Sequence, residues 1–287
     1  VKDSQIKAIA PWAGAKRTLA PLIVGELGPH DAYYEPFCGS CAVLFQKPPV
    51  RHEVVNDLNR DLTNIAVVLQ TRHLAAELLV RLHLTLASEE LYRDSRERVL
   101  SRFVGRLGDV DRAYHTMVTW WLGRNGIAGT RRSRTSFSAR FTKRGGSGGV
   151  RFRNMVNSVP FFSRRLERVD VLNRDAFEVA EKIDDEAGAA VYFDPPYVEK
   201  NLEYEHDFVR ADHERLAKIA GRFEKARVVI SYYPHPLLDE LYPADKWRRV
   251  TRVVNKSIRN TNTRAVGVTK ATELLLVNGP ATKEKVQ

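Results

Sequence analysis

Four consecutive residues, Asp194-Pro195-Pro196-Tyr197, stand directly after the apolar run Val191-Tyr192-Phe193, and their types suit one kind of chemistry. Proline fixes its own φ and pushes the residue before it into an extended conformation, so two in succession make a stiff, non-helical turn. Such a turn holds the Asp194 carboxylate and the Pro195 carbonyl as two hydrogen-bond acceptors, with the Tyr197 ring beside them as a flat apolar surface. Two acceptors beside a stacking ring match an exocyclic amine on a planar base, which has two N–H donors to satisfy. Asp194 is also placed to draw away positive charge, or to take a proton, as that amine attacks an electrophile. The plainer reading is an ordinary Pro-Pro strand exit in which Asp194 caps a neighbouring backbone group.

The elements that must position this tetrapeptide alternate strand and helix. Leu19 to Leu27 reads as a helix, Ala32-Tyr33-Tyr34-Glu35 as a strand, Ala42 to Gln46 as the start of a second helix and Glu53-Val54-Val55 as a second strand. Leu58 to Leu86 is a long helical stretch with apolar residues at three- and four-residue steps, and charged, helix-compatible sequence follows to about Leu107. Alternation resumes with Val169 to Leu172 (strand), Ala176 to Ile183 (helix), Ala189 to Phe193 (strand), His213 to Phe223 (helix) and Arg227 to Ser231 (strand). Two more strand-like runs, Arg249 to Val254 and Glu273 to Val277, lie near the end. Val- and Ile-rich strands flanked by helices predict a mostly parallel sheet covered on both faces. Ligands of such sheets bind beyond the carboxyl ends of the strands, which is where the tetrapeptide stands.

Charge singles out a different segment. The 287 residues carry 46 Lys and Arg against 35 Asp and Glu, a formal net of +11 that points to a polyanionic partner. Between Trp121 and Arg168 there are 12 basic residues and one acid, Glu167, so this stretch holds the whole excess and the remainder is neutral. Phe137, Phe141, Phe152, Phe161 and Phe162 are interleaved with its arginines, and Gly145-Gly146-Ser147-Gly148-Gly149 reads as a mobile hairpin tip. Arginine in preference to lysine favours forked contacts to phosphates and guanine edges. Nucleic-acid contact is therefore expected here, the bland alternative being a solvated basic face.

Other classes are disfavoured. Apolar residues make up 43% and charged residues 28%, the mixture of a globular chain and not of a disordered one. No apolar run approaches the eighteen or so residues of a membrane span, and no secretory signal is evident, so a cytoplasmic protein is expected. Cys38 and Cys41 lack the second ligand pair of a zinc site and read as small buried thiols in a tight turn, so no metal is expected.

Asp-Pro-Pro-Tyr after an apolar strand resembles the catalytic signature of amino-methyltransferases that use S-adenosylmethionine, and five further segments are similar to one branch, the DNA adenine N6-methyltransferases of the DNA adenine methylase type. They are Pro11-Trp12-Ala13-Gly14-Ala15-Lys16, Tyr34-Glu35-Pro36-Phe37-Cys38-Gly39-Ser40, Asn56-Asp57-Leu58-Asn59, Asn173-Arg174-Asp175-Ala176-Phe177 and Glu273-Leu274-Leu275-Leu276-Val277-Asn278. The order agrees as well: cofactor segments, then a target-recognition insertion where the basic stretch falls, then the tetrapeptide. The resemblance implies a Rossmann-like α/β methyltransferase sheet built from residues 1–65 and 166–287, with a mainly helical plus hairpin target-recognition domain inserted at 66–165.

It also implies roles. S-adenosylmethionine would be held by Trp12, Ala13, Gly14 and Lys16, by Glu35, Pro36, Phe37 and Gly39, by Asp57, by Asp175 and Phe177, and by Asp194. Lys16 would face the methionyl carboxylate, Gly39 would permit close backbone approach, Asp57 would accept the ribose hydroxyls, and Asp175 and Phe177 would flank the cofactor adenine. As bare residues, Asp57 reads equally as a helix cap and Phe177 equally as core. Asp194, Pro195, Pro196 and Tyr197 would transfer the methyl group to N6 of an adenine flipped out of double-stranded DNA, with Tyr197 stacked on the base. Arg124, Asn125, Gly126, Ile127, Arg131, Arg134, Arg140 and Lys143 would contact DNA. A monomer on DNA in a bacterial or phage-infected cell, alone or with a cognate restriction endonuclease, completes the expectation.

In one place the sequence departs from the family pattern Phe-x-Gly-x-Gly: the second glycine is Cys41. Three alternatives stay open, namely cytosine N4 methylation, RNA adenine methylation, and a DNA-binding relative whose methyl site is disabled.

Overall fold

The computed structural model describes residues 6–12, 14–101, 103–123, 128, 136–139, 147–198, 208–258 and 267–278. Among them, seven strands form a mixed sheet: β1 (Ala32–Glu35), β2 (His52–Asn56), β3 (Asp170–Leu172), β4 (Ala189–Phe193), β5 (Arg227–Tyr232), β6 (Trp247–Ile258) and β7 (Gly267–Asn278). The order across it is β3-β2-β1-β4-β5-β7-β6. The first five strands are parallel, and β7 lies antiparallel to both β5 and β6. From β1 the strand order runs outward through β2 to β3, and from β4 it runs the other way to β5. The crevice between β1 and β4 is thus a topological switch point, where an open α/β sheet receives its ligand.

Ten helices surround the sheet among the described residues. α1 (Ala20–Leu27), α2 (Ala42–Gln46), α8 (Ala176–Glu181), α9 (Arg210–Ala220) and α10 (Leu237–Leu241) connect or flank strands. α3 (Arg60–Gln70), α4 (Arg72–Leu84), α5 (Glu89–Leu100), α6 (Val110–Leu122) and α7 (Gly148–Leu166) form a packed group between β2 and β3. β4 is buried along its whole length, as a continuous apolar run between two helical layers requires. Side chains alternate across a strand. Ala190 and Tyr192 therefore join the core made with α1 to α3, α6 and α7, whereas Ala189, Val191 and Phe193 join the core made with α8 to α10.

The predicted strands all appear, β6 and β7 longer than expected, and the helical stretch over 58–86 differs. It is two helices, parted at Thr71, whose backbone is extended (φ −90°, ψ 107°) and whose hydroxyl donates back to the Val67 carbonyl at 2.9 Å. This local competition with the helix ladder is typical of threonine. Gly148 and Gly149 do not belong to a hairpin tip. They open α7, which Ser147 caps by accepting from the Gly149 amide at 3.2 Å.

α7 also changes the meaning of the basic stretch. Arg151 donates to the Trp121 and Gly123 carbonyls at 2.6 and 2.7 Å, and Arg153 to those of His83 and Thr85 at 2.8 and 2.7 Å. Arg165 grips Glu53 on β2 through two bonds of 2.5 and 2.7 Å, and Lys47 meets the same carboxylate at 2.5 Å. Removing one member of such a buried pair typically costs about 3–5 kcal/mol, because it strands the other charge. Phe152 and Phe162 are fully buried beside them. Arg165 ties α7 to the sheet, and Arg151 and Arg153 tie it to the C-terminal ends of α6 and α4, so these arginines are not part of a free basic face. The segment between α6 and α7 is closed at its base, where Gly123 bridges Phe137 and the Ser138 amide donates to the Leu122 carbonyl at 2.9 Å.

Candidate active site

One cavity lies at the carboxyl ends of β1 and β4, at the switch point. Its β4 wall is the tetrapeptide. Asp194 leaves the strand and its Oδ1 pairs with Lys16 Nζ at 2.9 Å. Lys16 arrives from the chain just before α1, where its carbonyl accepts the Leu19 and Ala20 amides, and its ammonium also donates to the Gly14 carbonyl at 2.8 Å. The same ammonium sits 5.0 Å from the centre of the Tyr197 ring. Tyr197 donates its phenolic proton to Glu273 Oε2 on β7 at 2.8 Å, and Tyr233 meets its ring edge-on at 4.4 Å.

Electrostatics at this corner are set by burial. The cavity leaves 22% of the Asp194 side chain exposed, but the crowded surroundings strip most of its water and raise its carboxyl to about 6. The Lys16 ammonium opposes that rise, the Glu273 charge adds to it, and a hydrogen bond with Tyr197 opposes it. Tyr197 is pushed well above the usual phenol range, first by burial and then by the two carboxylates, so it remains a donor.

The β1 wall begins with Glu35, only 2% exposed, which accepts from the Tyr33 hydroxyl at 2.9 Å. Burial raises its carboxyl to about 8, which favours the protonated form at neutral pH. Beyond it, the loop turns at Gly39, whose φ is +45°. A Cβ there would lie 3.0 Å from Trp12 Cδ1, so only glycine lets the indole rest on the loop. Asp57 ties the loop to the end of β2, taking the Gly39 amide on Oδ2 and the Asn59 amide on Oδ1, both at 2.9 Å. Cys41, where the family pattern has its second glycine, takes the left-handed conformation (φ 56°, ψ 30°), a region that favours glycine. The turn survives the substitution, and the cost of a left-handed L-residue is about 1–2 kcal/mol.

The third wall is aromatic and acidic. Asp175 caps α8, accepting the Phe177 amide at 2.8 Å. Phe177 is stacked on Phe208 at 5.7 Å and carries the Arg215 guanidinium 4.5 Å from its ring centre.

Of the residues expected to hold the cofactor, Trp12, Lys16, Glu35, Pro36, Phe37, Gly39, Asp57, Asp175, Phe177 and Asp194 line this cavity. Gly14 reaches it through the Lys16 bond, and Ala13 lies outside the described residues. Pro195 and Pro196 line the cavity with Asp194, and Tyr197 stands beside Lys16. Arg124, Asn125, Gly126, Ile127, Arg131, Arg134, Arg140 and Lys143 lie outside the described residues.

Sequence reasoning assigned no role to several residues that shape the site. Phe208 and Asp212 line the cavity, Asp212 also accepting the Val209 amide at 2.8 Å. Asn56, fully buried, joins the three turns that follow β1, β2 and β3, donating to the Pro36 and Arg174 carbonyls at 2.9 and 3.0 Å and accepting the Arg174 amide at 2.9 Å. Glu273 stands out in the sequence only as the first residue of a strand-like run and of the segment Glu273 to Asn278 that resembles the family, with no role attached. Among the described residues no cluster of three or more His, Cys, Asp or Glu is arranged for a metal, and no helix is long and apolar enough to cross a membrane.

Two comparisons bear on this geometry. Among solved structures, precorrin 8w decarboxylase from Methanobacterium thermoautotrophicum is similar at 10% identity over 92% of this chain and 90% of that one, with a TM-score of 0.40, a likeness too distant to carry weight. Residues 12–256 match the family model of the D12 class N6 adenine-specific DNA methyltransferases, from Trp12 on the cavity wall through the tetrapeptide and into β6. The chain belongs to the D12 class N6 adenine-specific DNA methyltransferase family, enzymes that methylate adenine in DNA.

Proposed function

We propose that the protein transfers the methyl group of S-adenosylmethionine to N6 of an adenine flipped out of double-stranded DNA, at a particular sequence. The observation that carries this reading is the shared cavity: the acid of the tetrapeptide faces the same space as the Glu35 to Gly39 loop and Asp57.

The residues fit that donor. Five carboxyl groups, Glu35, Asp57, Asp175, Asp194 and Asp212, line the cavity together with the rings of Trp12, Phe37, Phe177 and Phe208. A molecule combining an ammonium, a sulfonium, ribose hydroxyls and a planar base matches such a set. When bound, S-adenosylmethionine supplies an electrophilic methyl group on positively charged sulfur. Glu35 would ionise against its cationic end, Asp57 would take the ribose hydroxyls, and Phe177 and Phe208 would bound its adenine.

Asp194 and the Pro195 carbonyl would accept the two N6 protons of the target adenine. An adenine amine is a poor nucleophile because its lone pair conjugates with the ring, and these two bonds localise the pair toward the methyl carbon. As a carbon–nitrogen bond formed at the expense of the donor's carbon–sulfur bond, whose electron pair would stay on sulfur as a neutral thioether, positive charge would develop on N6 beside the Asp194 carboxylate, which would stabilise it and take up the proton released. Lys16 keeps that carboxylate ionised and occupies only Oδ1. The target is hidden in the duplex stack, so it must be extruded, and Tyr197 offers the ring to receive it. Residues 66–165 would supply target recognition through Arg124 to Lys143, on a segment whose base is pinned at Gly123 and Phe137. We infer a monomer on DNA, either solitary or beside a cognate endonuclease, in a bacterial or phage-infected cytoplasm.

Incubation with methyl-labelled donor and mixed duplex DNA, followed by digestion to nucleosides, tests this. Label is expected in N6-methyladenine. Label in N4-methylcytosine, label only when RNA is supplied, or DNA binding with no label at all would each replace the proposal with one of the alternatives.

A further inference from the structure

We propose that Glu273 is a positioning residue of this reaction, anchoring the Tyr197 ring in the attitude that receives the extruded adenine; the inference rests on the function proposed above. Glu273 lies on β7, beyond the residues matched by the family model, which end at 256. It is 6% exposed, on the strand face that it shares with the buried apolar residues Leu275 and Val277. A carboxylate is costly at such a position unless hydrogen bonds compensate it. The compensating bond is the one from the Tyr197 hydroxyl, at 2.8 Å.

The result is a ring held at three points. Glu273 fixes its tip, Tyr233 meets it edge-on at 4.4 Å with an interplanar angle of 87°, and the Lys16 ammonium lies 5.0 Å from its centre. The two prolines before Tyr197 fix the start of the side chain, and Glu273 fixes its end. A stacking surface clamped at both ends is already oriented when a base arrives, so no ordering is required at that moment. Glu273 touches neither reacting atom, and its contribution passes through Tyr197.

A double-mutant cycle tests this, on a duplex that the wild-type protein methylates and that carries 2-aminopurine at the methylated position for the binding measurements. Tyr197→Phe keeps the ring and removes the hydroxyl; Glu273→Ala removes the acceptor; Glu273→Gln keeps an acceptor oxygen. We expect Tyr197→Phe and Glu273→Ala each to lower kcat roughly ten- to hundredfold with donor KM within about twofold, and the double variant to be no slower than either alone. Glu273→Gln should retain wild-type turnover. In Glu273→Ala the 2-aminopurine fluorescence should rise above the wild-type complex, because the extruded base is less well stacked. Additive losses, or Glu273→Ala with wild-type turnover and fluorescence, would overturn the assignment while leaving the methyltransferase reading intact. If Glu273→Ala does not fold, the Tyr197→Phe and Glu273→Gln pair still decides: Tyr197→Phe at full activity, or Glu273→Gln as slow as Tyr197→Phe, counts against it. A wild-type protein that transfers no methyl group would overturn the reading, and this role with it.

Discussion

Asp194→Ala is expected to lower single-turnover methyl transfer by at least about a thousandfold, while duplex binding changes little. The expectation follows from where the carboxylate stands. It closes the cavity opposite the Glu35 to Gly39 loop, with Lys16 on one oxygen, and it is the group on which charge developing at N6 would fall. Preorganised groups of this kind commonly contribute about 3–4 kcal/mol to a barrier, and loss of a full charge in a partly buried site lies at the upper end. The ionised form of Asp194 is itself opposed by desolvation, and the Lys16 ammonium left behind keeps the Gly14 carbonyl, so the variant should fold, which its thermal melting checks. Asp194→Asn separates charge from shape, since an amide oxygen still accepts from Lys16. It should also be severely impaired. Transfer rates from rapid quench, set beside duplex affinity from fluorescence anisotropy, check both variants. Undiminished turnover in Asp194→Ala would make the tetrapeptide structural.

Lys16→Met should displace the acid limb of the pH–rate profile to higher pH. The sign follows from the surroundings of Asp194. Burial raises its carboxyl to about 6, and the groups facing it are the Lys16 ammonium, which lowers it, the Glu273 carboxylate on β7, which raises it, and the Tyr197 hydroxyl. Glu35 at the end of β1 and Tyr192 on β4 also feel its charge. The useful form is the ionised one, so wild-type activity falls as pH drops through about 6. With the ammonium gone the carboxyl climbs further, and an opposite charge at this separation is typically worth about one to three pH units. Turnover near pH 6.5 should therefore drop by roughly threefold to a few hundredfold and recover toward pH 9. The sequence reading gave Lys16 a different task, holding the methionyl carboxylate of the donor. In that case the same variant would raise donor KM and leave the acid limb in place. Isothermal titration of the donor beside pH–rate profiles distinguishes the two.

Much of the candidate site is legible in the sequence because its information is local. Two prolines after a wholly apolar strand announce a rigid exit from a central strand, and a glycine turn after another strand announces a loop at the same sheet end. What joins these pieces is not local. Lys16 and Asp194, or Tyr197 and Glu273, meet only because β1, β4, β5 and β7 lie in that order across the sheet. Nothing in the spacing of the chain distinguishes Glu273 from any other acid that begins a strand.

The basic stretch shows the opposite failure. A charge count treats every arginine as a surface group, yet Arg151 and Arg153 satisfy main-chain carbonyls and Arg165 is buried against Glu53. The guanidinium serves structure as readily as it serves phosphate recognition, because its rigid fork suits a carbonyl pair or a carboxylate equally well. Cys41 marks a third kind of limit. The sequence shows a cysteine where the family pattern has glycine, and only the backbone shows that it adopts the left-handed conformation there.

The most direct measurement is a crystal structure of the protein with a non-transferable donor analogue and a duplex it methylates. The account predicts an extruded adenine lying on Tyr197, its N6 about 3 Å from the Asp194 carboxylate and from the Pro195 carbonyl, and facing the donor sulfur. An adenine that stays stacked in the duplex, or that seats elsewhere with Asp194 out of hydrogen-bonding reach of N6, would contradict it.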